Sequence, residues 1–169
     1  TGKELNLSQL IAQPLYDVDY DWTGSPEAYE IAGYSPDETL IYLYDQYDLY
    51  QVDLKTQEVK RLTSGSSKKR SYRIVKQKIT DPFERNYSYD TAPVLDLSEP
   101  QFLEVKGEAY ESGYAWLVNG TLKEITYGNT HCYNPIIRNQ QLLYLEEDQD
   151  LPPRLMFWEP KLEHPRVLF

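Results

Sequence analysis

Between Leu40 and Leu54 the chain runs LIYLYDQYDLYQVDL, short bursts of apolar and aromatic positions broken every few residues by aspartate. Such bursts are strand-length and their connections are tight, whereas helical periodicity is scarce anywhere in the sequence. The surrounding pattern predicts a strand at Ala28–Ala32, then a turn in YSPDETL with Pro36 preset for its first corner. Strands follow at Thr39–Tyr44 and Leu49–Asp53, separated by a turn at Asp45–Tyr47. LKTQ turns again and Glu58–Leu62 pairs back, which makes a four-stranded antiparallel meander. Upstream, Leu7–Ile11 suits one short helical turn. PLYDVDYDW alternates apolar and charged residues like a strand until Gly24-Ser25-Pro26 stops it.

The second half repeats the arrangement less cleanly. Tyr72–Ile79 reads as a strand, TDPFERNYSYDTAP as a long loop, and PVLDL and FLEVKGEAY as further strands. YAWLV and TLKEIT flank Asn119-Gly120, a pair suited to the left-handed dihedrals of a type I′ hairpin turn. NPIIR, QLLYLEE, RLMFWE and PRVLF are four more short strands, connected through Asn139-Gln140, Asp148–Pro153 and Pro160–Glu163.

Three segments share a basic or polar residue followed by an apolar pair: VKRLT (Val59–Thr63), LKEIT (Leu122–Thr126) and PRVLF (Pro165–Phe169). Each closes a run of strands. Aligning Lys60, Lys123 and Arg166 gives intervals of 63 and 43 residues. The second interval matches the roughly 40–50 residues of one four-stranded propeller blade, and the first is one blade plus an insertion. The fold class expected is therefore all-β: antiparallel four-stranded meanders as blades of an incomplete β-propeller. One partial propeller over 1–169 would hold a first blade at about 13–63, a second with an insertion at 64–126 and a third at 127–169.

Composition narrows the function. The chain has 169 residues and 16 tyrosines, a bias towards strands and half-buried surfaces. Its net charge of −10 repels phosphate backbones and anionic lipid, so neither nucleic acid nor membrane is an expected partner. The one basic run, Lys68-Lys69-Arg70, sits in a polar stretch and reads as a solvated loop. No apolar run approaches the length needed to span a bilayer. A single cysteine, Cys132, excludes an internal disulfide framework and a multi-cysteine zinc site. Thr1 and Phe169 do not look like natural ends, so a piece of a longer protein is expected.

Several clusters invite chemistry. Asp17, Asp19 and Asp21 have the carboxylate spacing of a calcium loop, but Trp22 stands where an EF-hand needs glycine, and on a strand all three would face solvent. His131 and Cys132 are adjacent, so on a strand they face opposite ways and cannot chelate together. Glu146, Glu147 and Asp148 suit either a charged turn or a partner for a peptide amino terminus. Asp45, Asp48 and Asp53 beside tyrosines suggest a sugar platform or a glycosidase pair, or simply strand turns. Asn6, Asn86 and Asn119 each begin a glycosylation pattern, with Asn119 already explained by its hairpin. No catalytic, cofactor-binding or metal-ligating residue is assigned, and no cofactor is expected.

YSPDETLIYLYDQYDLYQVDLKTQEVKRLT resembles the blade signature of prolyl oligopeptidase-family β-propellers, in which a Ser-Pro-Asp turn precedes a strand, an LY-x-x-DL strand and a closing RLT. SKKRSYRIVKQ is similar to the strand that opens the next blade. YLEEDQDLPPRLMFWEPKLEHPRVLF resembles a blade in which an acidic loop leads to a Pro-Pro-x-Leu strand. The likeness covers about Ile31 to Phe169 and is nearest to dipeptidyl- and acylaminoacyl-peptidase-like members. Asp96–Tyr110 carries no blade signature. The resemblance implies a serine peptidase parent, favours a periplasmic or secreted setting, and gives this segment two partners: the hydrolase domain of the same protein and the parent's peptide substrate. The family's nucleophile sits in a G-x-S-x-G elbow, and no such pentapeptide occurs in this sequence. The outer blades of an unclosed ring are expected to self-associate through their exposed faces.

Overall fold

The computed structural model describes residues 6–76 and 93–169. The chain divides into two compact units, Thr1–Arg73 with Ala92–Asp96, and Ile74–Thr91 with Leu97–Phe169. The architecture is all-β, with three antiparallel four-stranded sheets and, among the described residues, only two single-turn 3-10 helices.

In the first unit, β1 (Ile31–Tyr34), β2 (Leu40–Tyr44), β3 (Leu49–Asp53) and β4 (Val59–Arg61) form a meander in chain order. Its first turn is built by Ser35-Pro36-Asp37. Ser35 Oγ donates to Asp37 Oδ1 at 2.6 Å, Thr39 Oγ1 donates to the same oxygen at 2.9 Å, and the Leu40 amide donates to Ser35 Oγ at 2.9 Å. The Ser35 and Thr39 donors hold the Asp37 carboxyl below the usual range. Gly33 is needed where β1 meets the segment around Val94, since a Cβ there would lie 2.3 Å from the Pro93 carbonyl oxygen.

Both faces of β2 are buried. Ile41 and Leu43, with Tyr50 and Val52 opposite them, form one cluster covered by Leu7, Leu10, Ile11 and Leu15 of the N-terminal segment. Tyr42 and Tyr44 occupy the other face. The guanidinium of Arg73 lies 4.5 Å from the Tyr44 ring centroid and 5.6 Å from that of Tyr29. It donates to the carbonyls of Asp45 (2.7 Å) and Gln46 (3.0 Å), closing the β2–β3 turn from the side.

The second unit holds β6 (Gln101–Lys106), β7 (Ser112–Val118) and β8 (Thr121–Gly128), with the last residue of β5 (Ser71–Ile74) at their edge. The Val75 amide just beyond it donates to the Phe102 carbonyl at 2.9 Å. It also holds β9 (His131–Arg138), β10 (Gln141–Asp148), β11 (Leu151–Trp158) and β12 (Arg166–Val167). The two sheets meet in an aromatic core. Trp158, fully buried, stands edge-on to Phe102 (5.9 Å) and to Trp116 (5.5 Å), and Tyr114 tilts onto Tyr144 at 4.9 Å. Such ring pairs add to burial because edge hydrogens meet the negative face of the partner ring. Lys123 Nζ lies 5.4 Å from the Trp158 ring centroid.

The hairpin at Asn119-Gly120 forms as its sequence demands, with φ of 49° and 71°. Asn139-Gln140 makes the same left-handed pair without glycine, at 50° and 62°. The three closing segments each contribute the fourth strand of their sheet, Lys60 in β4, Lys123 in β8 and Arg166 in β12.

The structure corrects several expectations. PLYDVDYDW is not a strand. It touches its neighbour through one bridge, Tyr16 to Ala28, and Asp17 bends it by accepting the Asp19 amide at 3.0 Å. A residue-long bridge gives alternation no sheet face to fill, and Tyr16, Val18 and Trp22 are exposed. The strand expected at Ala28–Ala32 lies instead at Ile31–Tyr34. PVLDL contributes only a parallel bridge from Val94 to Tyr34. FLEVKGEAY stops at Lys106, because Gly107 turns the chain and its amide donates to the Glu111 carbonyl. The helical turn at Leu7–Ile11 is a 3-10 turn at Leu7–Gln9, capped by Asn6. β11 begins earlier than expected, at Leu151; β12 pairs only near Met156 and Phe157, so Pro152 and Pro153 need donate no ladder bond on that side. The strand expected at Tyr72–Ile79 is described as β5 through Ile74. Residues 77–79, the expected loop and Asn86 lie outside the described residues.

Replacing Trp158 by Ala should cost about 3–5 kcal/mol, the penalty for emptying a large aromatic site. Trp22, 78% exposed, should tolerate Ala with little change. Urea unfolding followed by near-UV circular dichroism of the two variants checks the contrast.

Candidate functional site

Two aspartates of the tyrosine-rich stretch, Asp45 and Asp48, prove to be interior anchors. Asp45 accepts the Tyr47 amide at 2.7 Å and the Tyr50 hydroxyl at 2.9 Å. Burial, then the bond to Asp45, pushes the Tyr50 hydroxyl well above its ordinary range. Asp48 is fully buried and accepts from Thr63 Oγ1 (2.6 Å) and from the Gly65 and Ser66 amides, with Arg61 Nη1 at 3.9 Å. Its carboxylate therefore ties the β2–β3 turn to the connector after β4. Gly65 is required beside it, since a Cβ would fall 2.0 Å from the Arg70 carbonyl oxygen. Asp53 takes the Lys55 and Thr56 amides, both at 2.8 Å, in an exposed turn. Asp45 and Asp53 are occupied by their own turns and Asp48 by the connector after β4, so their oxygens are engaged as turn and junction anchors rather than set out as a sugar platform or glycosidase pair.

Asp17 and Asp19 are likewise engaged: Asp17 bends the backbone and Asp19 Oδ2 accepts from Gln46 Nε2 at 3.0 Å. Among the described residues no group of three His, Cys, Asp or Glu side chains is placed to hold a metal ion. Asn6 is engaged by Ser8, whose amide and hydroxyl donate to its side chain at 3.1 and 2.6 Å.

The remaining candidates converge on one end of the β9–β10 pair. There β10 alternates Glu146 inward and Glu147 outward, opposite Cys132 and His131 of β9. Glu146 pairs with Arg154 at 2.9 Å, largely out of water. Glu147 reaches His131 Nδ1 at 3.3 Å and accepts from the Tyr133 hydroxyl at 3.1 Å, while the His131 and Tyr133 rings stack at 4.8 Å. Asp148 caps the hairpin by accepting the Gln149 amide at 2.6 Å. A cleft of about 550 Å³ opens here, lined by Tyr110, Thr130, His131, Glu147, Asp148 and Asp150. A second, of about 410 Å³, adjoins it through Tyr110 and His131 and reaches Glu104 and Cys132.

Burial pushes the Cys132 thiol up, away from the thiolate that nucleophilic attack needs. His131 and Cys132 do face opposite ways, as adjacent strand residues must, and the base partner of His131 is a carboxylate rather than a hydroxyl or thiol. What the cleft offers a ligand is carboxylate oxygens and two aromatic rings. Tyr110, 88% exposed, is the member that sequence reasoning missed. By its sequence it stands at the end of the expected FLEVKGEAY strand, whereas the strand stops at Lys106 and leaves Tyr110 on the connector.

No protein-family model and no curated protein matches this chain. Among solved structures it is similar to TolB from Acinetobacter baumannii, at 14% identity and a TM-score of 0.42, over 85% of this chain and 33% of that one. It is also similar to a putative TolB from Agrobacterium tumefaciens, at 15% identity and a TM-score of 0.41, over 86% of this chain and 53% of that one. The chain thus spans between a third and about half of these neighbours.

Two stability tests follow from the anchors. Asp48→Ala strands two buried donors, the Thr63 hydroxyl and the Gly65 amide, and the partly buried Ser66 amide, and should cost about 3 kcal/mol or more in denaturant unfolding. Tyr50, Tyr114 and Tyr144 all have hydroxyls raised by burial. Above about pH 10 the unfolded chain loses these protons while the folded one keeps them. The stability that burial of the neutral tyrosines contributes is therefore full below that pH and lost as pH rises towards the folded values. The unfolding midpoint should fall accordingly, and replacing Tyr50 by Phe should flatten that fall.

Proposed function

We propose that this chain is a non-catalytic propeller segment of a prolyl oligopeptidase-like serine peptidase, working by shape and exclusion at the mouth of a hydrolase active site. The observation that carries the reading is the agreement between motif and position. Ser35-Pro36-Asp37 builds the β1–β2 turn, the Leu49–Asp53 stretch is β3, and the closing Lys60 and Arg166 stand on fourth strands. Pro152-Pro153 opens β11 directly after the acidic hairpin.

A segment of this kind contributes walls rather than reacting groups. Its sheets are stiffened by aromatic packing and by buried carboxylate anchors, which suits a cap that admits short peptides and turns away folded chains. The acidic cleft of the second unit presents its carboxylates and aromatic rings at the hairpin ends, where a wall would meet a passing peptide. A protein–protein scaffold without a peptidase domain is the second reading, supported by the same sheets and by the exposed apolar side chains of the third one.

The coding sequence beyond Phe169 separates the two. A G-x-S-x-G followed by Asp and His supports the peptidase parent, and further meanders ending in a stop codon support the scaffold. The 169-residue chain itself should release no chromophore from aminoacyl or dipeptidyl chromogenic substrates. Cleavage that purifies with the chain would overturn the non-catalytic reading.

A further inference from the structure

The sheet formed by β9–β12 has two apolar faces and only one of them enters the core of its unit. Leu142, Tyr144, Met156 and Trp158 point inward to the aromatic cluster. The residues between them point the other way. Strand register sets Ile136, Leu143 and Phe157 side by side in one row and Tyr133, Leu145 and Leu155 in the next. None of these six belongs to the aromatic core or its margin, Ile136 is 63% exposed, and the others are half-buried. Leu168 extends the second row, since its amide donates to the Leu155 carbonyl at 2.7 Å.

Charge is distributed unequally along this face. At the end where β9 finishes and β10 begins stand Arg138 and Arg166, the latter 4.9 Å from the Phe157 ring centroid, together with Glu159, which takes a bond from Gln141 at 3.2 Å. At the opposite end stand Glu147, Asp148 and Asp150, with His131 held against Glu147. The face is an apolar field with a basic end and an acidic end.

We propose that this face is a self-complementary docking surface for a second copy of the chain. Two copies packed face to face about a two-fold axis lying in the interface and running across the strands superpose the apolar rows. The same operation sets Arg138 and Arg166 of each copy over the acidic hairpin of the other. An axis along the strands would instead bring the two acidic ends together, which Coulomb repulsion disfavours. A head-to-tail arrangement onto the outer face of β1–β4 meets an occupied surface, because the N-terminal segment already lies on Ile41 and Leu43. Strands of eight residues, three to four abreast, span about 27 by 14–19 Å. That is on the order of 800–1,000 Å² for the pair, near the lower limit for specific association, so the dimer forms in a concentration-dependent way.

Sedimentation equilibrium of the full 169-residue chain from micromolar to millimolar concentration tests this. The weight-average mass should climb from 19.9 kDa towards twice that value. Leu145→Glu should weaken the association by about tenfold or more, as should Arg138→Glu. Combining Arg138→Glu with Glu147→Arg should restore it, since the swapped charges meet again across the two-fold. A monomer at every concentration overturns the proposal. So does association indifferent to Leu145→Glu, or a double charge swap that fails to recover what Arg138→Glu loses, an outcome that does not depend on perturbing the apolar rows.

Discussion

A four-stranded meander has two faces and can bury neither by itself. That constraint organises this molecule, because three such meanders account for nearly all of the regular structure among the described residues. Where a face finds cover, the sequence supplies apolar residues in both registers, as in β2, where four consecutive side chains from Ile41 to Tyr44 are buried. The first sheet gains its cover from a segment with almost no regular structure, Leu7 to Leu15, whose apolar side chains complete the cluster. The third sheet gains it on one side through Trp158.

Polar anchoring supplies what short strands lack. Strands of three to five residues give the first sheet few ladder bonds, and its turns compensate with buried or partly buried carboxylates. Asp45 and Asp48 each satisfy several donors, so that a connector and two turns become one hydrogen-bonded body. Arg73 adds a cation lodged on two tyrosine rings and two carbonyls, and burial lowers its hold on its proton. The second unit depends less on such anchors, since its eight-residue hairpins carry long ladders and a larger aromatic core.

The meanders were legible because their signals are local. The Asn119-Gly120 dihedrals, the Ser35-Pro36-Asp37 turn and the alternation in β10 are each decided within a few residues. What misled was alternation without a partner: PLYDVDYDW has strand periodicity, but periodicity describes only what a strand would do if a sheet were beside it. The role of Asp48 was hidden for the opposite reason. Its donors, Thr63, Gly65 and Ser66, lie 15 to 18 residues away, so sequence reasoning saw a turn marker where the fold has a buried junction. At the acidic cleft the pairing of Glu147 with His131 and Tyr133 depends on strand register, and Tyr110 joins it from a connector that no periodicity describes.

The three tryptophans occupy three distinct environments: Trp22 in solvent, Trp116 half-buried and Trp158 sealed. The rings of Trp116 and Trp158, 5.5 Å apart and inclined at 63°, are close enough for their excited states to couple. Their electronic transitions then split into bands of opposite sign in polarised light, a signature that exists only while the two sheets are in register. Trp22 emits independently at the long wavelengths of a hydrated indole. The molecule thus carries, within its own sequence, one chromophore pair that reports sheet-on-sheet packing and one that reports nothing but solvent.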